Sequence, residues 1–352
     1  MADSYFQIAT TPKLYVSYPL YQYASGALDE YGTLNGGASD EDMIKLLQID
    51  PSSQVTIAPN NTDEFLSYKV VPSFDDETLV VESGLWNFDF CMLLGHNFNT
   101  QSIIPSFYSE NTALNTSNIV NYGEGSVPEY DGWSLCSLDS TAGDAERNFA
   151  ISLSESNSGN VECSLGSILF GKTYEFPQNT TLSTTTKFEY GVKQKTTTSG
   201  KTISTANWTK PNNWITEPFG LGSQAGDNYQ RRSGRRSWKM SFDSLAPNKV
   251  MNQNMMMNDN NYYGQDNHSV PEDAGGNPDY TSRLYNINNS TDFYTSVIHR
   301  CMNNHLPMVL QIDKNDNSPS GFAIVRIKSK SYKITQKSPN LYTIQVEFIE
   351  QI

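Results

Sequence analysis

Apolar and polar residues alternate with a period of two over much of this chain, in runs too short for long helices. Across 235–245, Trp238, Met240 and Phe242 alternate with Lys239, Ser241 and Asp243, the pattern of a strand with one buried face. Near the end, Tyr342, Ile344, Val346 and Phe348 fall on one side of a similar run, with Thr343, Gln345 and Glu347 on the other. Together with runs at 308–312 and 321–332 it predicts a closing sheet whose last two strands form a hairpin across 336–340. Between 52 and 177 the runs are shorter, at 54–58, 66–71, 78–82, 87–94, 102–108, 149–154 and 167–170. Gly84, Gly95, Pro105, Gly123, Pro128, Gly143 and Gly159 punctuate this region, and the spacing predicts an antiparallel sandwich with 112–132 as an exposed polar loop.

Two segments carry helical spacing. Ser39 or Asp40 caps a short helix with Met43, Ile44 and Leu47 on one face, ending before Pro51. Thr291-Asp292 caps a second, with Phe293, Val297, Ile298, Cys301 and Met302 aligned and Asn303-Asn304 as its stop. The aromatic segment 10–28 carries Pro12 and Pro19, which argues against a long helix or a central strand and predicts an extended arm on another surface. Residues 179–200 are dense in Thr, as in edge strands or a hairpin exposed on both faces. Trp208, Trp214 and Phe219 mark a return to packed surface, and 251–279, rich in Asn, Asp, Gly and Met, reads as a long functional or mobile loop. The expected fold is mainly β: an arm and short helix at 1–51, a β-sandwich at 52–177, and an α+β domain at 178–352 containing that loop.

Composition sharpens this picture. Only 18% of the 352 residues are charged, so polarity comes mostly from Asn, Ser, Thr, Gly and the 20 Tyr, which suits strands and interfaces. The net charge of −14 opposes general phosphate binding, and no nucleic acid is expected. No apolar stretch is long enough to span a bilayer, so no membrane insertion is expected; the start lacks a leader pattern, which implies synthesis in the cytoplasm without export through the usual leader. Cys91, Cys136, Cys163 and Cys301 lack metal or redox spacing and read as free buried thiols.

No catalytic set emerges. The histidines are His96, His268, His299 and His305, without a Gly-x-Ser-x-Gly elbow, and His96 follows a Gly turn as a structural residue bonding a loop backbone. Cys301 and His305 lack further ligands for zinc, and 313–318 reads as a turn because it has neither the Gly nor the distal Glu of a calcium loop. Paired acids such as Asp75-Asp76 leave a hydrolase as a remote alternative; no cofactor or metal is expected. The cluster Arg231-Arg-Ser-Gly-Arg-Arg236 on an acidic protein predicts an electrostatic contact between subunits.

Three stretches carry a resemblance. Residues 12–26 (PKLYVSYPLYQYASG) resemble the openings of virion proteins of tailed bacteriophages. Residues 93–98 (LLGHNF) and 166–174 (GSILFGKTY) look like the galactose-binding-like jelly roll of phage tail and baseplate components, and 306–315, 321–325 and 342–347 are similar to the modules that follow it. The resemblance implies a non-enzymatic structural protein of the tail, baseplate or neck, located in the virion and assembling as a ring with itself and with other virion proteins. Tyr15, Tyr18, Tyr21, Tyr23, Arg232, Arg235 and Trp238 are then expected at or near interfaces, with a core position as the alternative for Trp238. The alternative is a receptor-recognition module whose sandwich binds a host surface glycan, stacking sugars on Trp86 or Trp133, two residues that otherwise read as core.

Overall fold

The computed structural model describes residues 11–25, 40–49, 53–57, 66–69, 88–109, 112–123, 125–139, 148–155, 162–181, 184–206, 235–251, 291–318, 321–328 and 331–351. In the first half the strands are β1 (Lys13–Ser17), β2 (Val55–Ile57), β3 (Leu66–Lys69), β4 (Phe90–His96), β5 (Ile103–Ser109), β6 (Thr112–Ala113), β7 (Asn115–Val120), β8 (Gly132–Asp139), β9 (Asn148–Glu155), β10 (Cys163–Leu165) and β11 (Ser167–Glu175). In the second half they are β12 (Thr185–Glu189), β13 (Val192–Thr196), β14 (Thr202–Ala206), β15 (Arg235–Leu245), β16 (Met308–Gln311), β17 (Phe322–Ile327), β18 (Lys333–Ser338) and β19 (Leu341–Glu350). The protein is mainly β. Its dominant element is an 11-stranded antiparallel sheet in the order β12-β15-β19-β17-β16-β1-β11-β4-β8-β7, with β18 pairing β19 beside this path.

Strand β1 sits in the middle of that sheet, bonded to β11 on one side and β16 on the other. The extended arm expected on another surface is therefore corrected: this segment lies inside the chain's own sheet. The reason is positional. Pro12 and Pro19 flank Lys13–Ser17, so every strand residue keeps its N–H, and Pro19 falls in the first turn of the helix Tyr18–Ser25, where an N–H has no intrahelical acceptor. Gly171 makes the close approach possible: a Cβ there would lie 2.3 Å from the Val16 carbonyl oxygen. The segments 1–51, 52–177 and 178–352 thus share one hydrogen-bonded sheet, stitched together by β1.

Both faces of β1 are buried, in different cores. Leu14 and Val16 join Trp238, Met240, Phe242, Ile344, Val346 and Phe348. Phe293, Val297, Ile298 and Cys301, from the helical segment around Tyr294–His299, complete this core. Tyr15 points to the other face, among Phe90, Met92, Leu94, Trp133, Val309, Phe322 and Ile324, and its hydroxyl donates to Gln311 Oε1 at 2.7 Å. A third core fills the space between the main sheet and a four-stranded sheet, β3-β9-β5-β6. There Cys91, Leu93, Ile168 and Phe170 meet Ile103, Phe107, Phe149, Ile151 and Leu153. Each large side chain withdrawn from water in this way contributes roughly 1.5–3 kcal/mol.

Local chemistry explains the remaining elements. The helix Asp40–Leu47 lies where the capping pattern set it, with Leu46 and Leu47 buried. The second predicted helix is a π-helix, Tyr294–His299. Asp292 Oδ1 accepts the Thr295 N–H at 2.9 Å at its start, and left-handed Met302 and Asn303 end the segment. The loop expected at 112–132 contains β7, and the final hairpin is β18–β19 turning at left-handed Asn340, one strand later than the sequence suggested. Trp208, Trp214, Phe219 and the expected strand 78–82 and loop 252–279 lie outside the described residues.

Candidate functional site

The expected interface residues separate into three groups. Tyr15, Tyr18 and Trp238 are buried within the chain's own cores, at most 2% exposed: Tyr15 and Tyr18 are corrected to packing residues, and Trp238 takes its alternative core position. Their aromatic bodies fill the sheet interior: Tyr18 packs edge-on against Phe88, and Trp238 lies under the Arg236 guanidinium at 4.8 Å. Tyr21 is half-buried, with its hydroxyl 2.9 Å from His299 Nε2. Tyr23 is exposed; Arg235 is half-buried, with its Nε donating to the Glu350 carbonyl; Arg232 lies outside the described residues. The glycan expectation loses Trp133, which is fully buried against Phe322 and offers no face to a sugar, while Trp86 lies outside the described residues.

The arginine cluster contributes to the fold through Arg236. This side chain is buried and pairs with Glu350, with Arg236 Nε 2.9 and 3.0 Å from the two carboxylate oxygens and its backbone N–H 3.0 Å from Oε2. Its Nη2 also donates to the Phe322 carbonyl at 3.3 Å, so one guanidinium ties β15, β17 and β19 together.

A second polar group marks the junction of the two halves. Asp89 accepts the Thr173 backbone N–H and hydroxyl, both at 2.7 Å, and burial pushes its carboxyl pKa up. Lys172 is pushed down by burial, and Arg300, buried with its guanidinium 4.0 Å from the Tyr18 ring, is lowered by the same cause. This group anchors the helix Tyr18–Ser25 over β11 and the end of the π-helix. His96 is structural: fully buried, it lies 2.9 Å from Ser134 Oγ, which donates to the Asn121 carbonyl, while its Nδ1 accepts the Phe98 N–H. Burial lowers its pKa to about 3. All four cysteines are free and buried, and the described residues contain no group of three or more His, Cys, Asp or Glu placed to hold a metal.

The feature least explained by the monomer is the hairpin β13–β14. Every residue of both strands is exposed, including Val192 at 52% and Ile203 at 54%. It leaves the main sheet directly after its edge strand β12, through Tyr190 and left-handed Gly191. Its register pairs Lys193 with Thr205 and Lys195 with Ile203, so one face carries two lysines around Ile203. The other face is neutral, with Val192 opposite Ala206, Gln194 opposite Ser204 and Thr196 opposite Thr202. The turn is built rather than loose: Thr197 N–H donates to the Lys201 carbonyl and Gly200 N–H to the Thr197 carbonyl, both at 2.9 Å, and Thr197 Oγ1 accepts the Lys201 N–H at 3.1 Å. Thr density pointed to edge strands or a hairpin exposed on both faces, and the segment supplies both, the edge strand β12 and this hairpin. Its charge was the overlooked signal: residues 190–206 hold Lys193, Lys195 and Lys201 and no acid, in a chain of net charge −14.

Comparison with protein-family models, with curated proteins and with solved structures finds no match for this chain.

Proposed function

We propose that this chain is a non-enzymatic structural subunit that assembles with copies of itself, in a particle of the tailed-phage type. One observation carries the reading: among the described residues the large sheet ends at β12 in an unpaired edge, and the chain continues from that edge as a hairpin exposed on both faces. Unpaired edges and exposed ribbons are templates for another chain, and a two-stranded hairpin alone in water is marginally stable. Contact with a neighbour would bury Val192, Ile203 and Phe188, which the monomer leaves in water. The tailed-phage setting, with other virion proteins as further neighbours, is supported by the resemblance of residues 12–26, 93–98, 166–174, 306–315, 321–325 and 342–347 to such proteins. Light scattering of the full-length protein over a range of concentrations tests the reading. A discrete oligomer, visible as a closed ring by electron microscopy, supports it; a monomer at every concentration overturns it.

A further inference from the structure

The two ends of the main sheet differ in charge. Residues 1–177 contain 5 Lys and Arg against 24 Asp and Glu, whereas residues 178–352 contain 19 against 14, giving net charges of −19 and +5. The structure turns this division into geometry. The β12 end carries exposed Lys187, Lys239, Lys333 and Lys337, and beyond them the hairpin lysines Lys193, Lys195 and Lys201. Toward the β7 end, the described residues from 88 to 165 include no Lys or Arg, and Glu129, between β7 and β8, is exposed. Nine strand spacings separate β12 from β7 along the sheet path, about 40 Å at ~4.8 Å each, several Debye lengths in physiological salt.

We infer that the β13–β14 hairpin docks on the acidic first half of a second copy of this chain, joining subunits head to tail. The inference rests on the self-assembly reading above and specifies its contact. Three features favour a second copy over an unrelated occupant. The hairpin's cationic face is complementary in charge to the first half of the same chain, whose described residues carry 10 Asp and Glu against 4 Lys and Arg. Along the sheet path, nine strand spacings separate β12, from which the hairpin leaves, from β7 of the same subunit. A contact between two different patches is heterologous, so repetition by a fixed rotation closes a ring or extends a filament. The built turn and paired register mean that the ribbon is ordered before it docks, which lowers the entropy lost on association.

The test compares the full-length protein with the triple reversal Lys193→Glu/Lys195→Glu/Lys201→Glu and the conservative triple Lys→Arg change at the same positions. All three side chains are exposed, so the variants should fold as the parent does, checked by circular dichroism and the urea midpoint. By light scattering at low salt, the parent and the arginine variant should form the same oligomer and the glutamate variant should be a monomer, with parent affinity falling at least tenfold between 0.1 and 1 M salt, an order-of-magnitude expectation for a screened contact. A folded glutamate variant that keeps the parent's oligomer overturns the hairpin contact and leaves self-assembly standing. A parent that is monomeric throughout overturns both. Loss of the oligomer in the arginine variant as well would show that lysine charge is not the determinant, and also overturns the proposal.

Discussion

Replacing Arg236 by Met would remove a planar cation from a fully enclosed site and leave the Glu350 carboxylate, 1% exposed, with the Arg236 backbone N–H at 3.0 Å but without the guanidinium. Breaking one side of a buried pair typically costs about 3–5 kcal/mol, because the remaining charge has lost both its counter-ion and its water. Here the upper part of that range is expected: Arg236 also donates to the Phe322 carbonyl and covers Trp238. Glu350→Leu should cost a similar amount by leaving the guanidinium uncompensated. The double change Arg236→Met/Glu350→Leu removes both charges together, and its stability should lie within about 2 kcal/mol of the parent, since apolar replacement of a buried pair is often neutral. Urea unfolding followed by circular dichroism and tryptophan fluorescence gives the four stabilities and a coupling energy. Single variants that each lose less than about 1 kcal/mol, or a double variant whose loss equals the sum of the singles, would refute the reasoning that this pair is an enclosed electrostatic lock.

Three further outcomes follow from the packing. Burial lowers the His96 pKa to about 3 from the ordinary 6.5, so the stability linked to its neutral form is fully present above pH 6.5 and declines as the pH falls toward 3, by about 1.4 kcal/mol per unit. Urea midpoints from pH 7 to 4 should therefore fall more steeply for the parent than for His96→Gln; parallel curves would refute this linkage. Gly171→Ala sets a Cβ 2.3 Å from the Val16 carbonyl oxygen and should cost about 1–3 kcal/mol by displacing β1, an effect read by thermal unfolding and contradicted by an unchanged midpoint. Trp133→Ala should cost about 3–5 kcal/mol as a large core deletion, measured by urea unfolding, whereas an unaltered stability would reopen a surface role for this residue.

What the sequence made legible depended on how evenly burial was divided between the faces of each strand. In β15 the alternation of Trp238, Met240 and Phe242 with Lys239, Ser241 and Asp243 located the strand to the residue, because one face is buried and the other wet. In β1 both faces are buried, so Leu14, Tyr15 and Val16 run together without alternation, and the flanking prolines then resembled breaks. Strand β8 was hidden for a related reason: Ser134 is buried through its bond with His96, so a polar letter stands at a core position. The π-helix had its cap and apolar face written in Asp292, Phe293, Val297 and Ile298, but its wider turn carries no separate signature in residue spacing. The candidate surface was half visible. Thr density at 179–200 marked the exposed ribbon, whereas the total charge averaged away the contrast between the two halves. Arg236 and Tyr18 were drawn toward an interface by composition alone; only the tertiary pairing of Arg236 with Glu350, and the stacking of Tyr18 beneath Arg300, shows that the same chain consumes them.

The head-to-tail contact is tested most directly by zero-length carbodiimide cross-linking of an equal mixture of nitrogen-14 and nitrogen-15 chains, with mass spectrometry of the linked peptides. Links carrying both isotopes come only from two different copies. The account predicts such mixed links joining Lys193, Lys195 or Lys201 to an Asp or Glu within residues 1–177. Mixed links that omit all three lysines, or that join them only to residues 178–352, would contradict it.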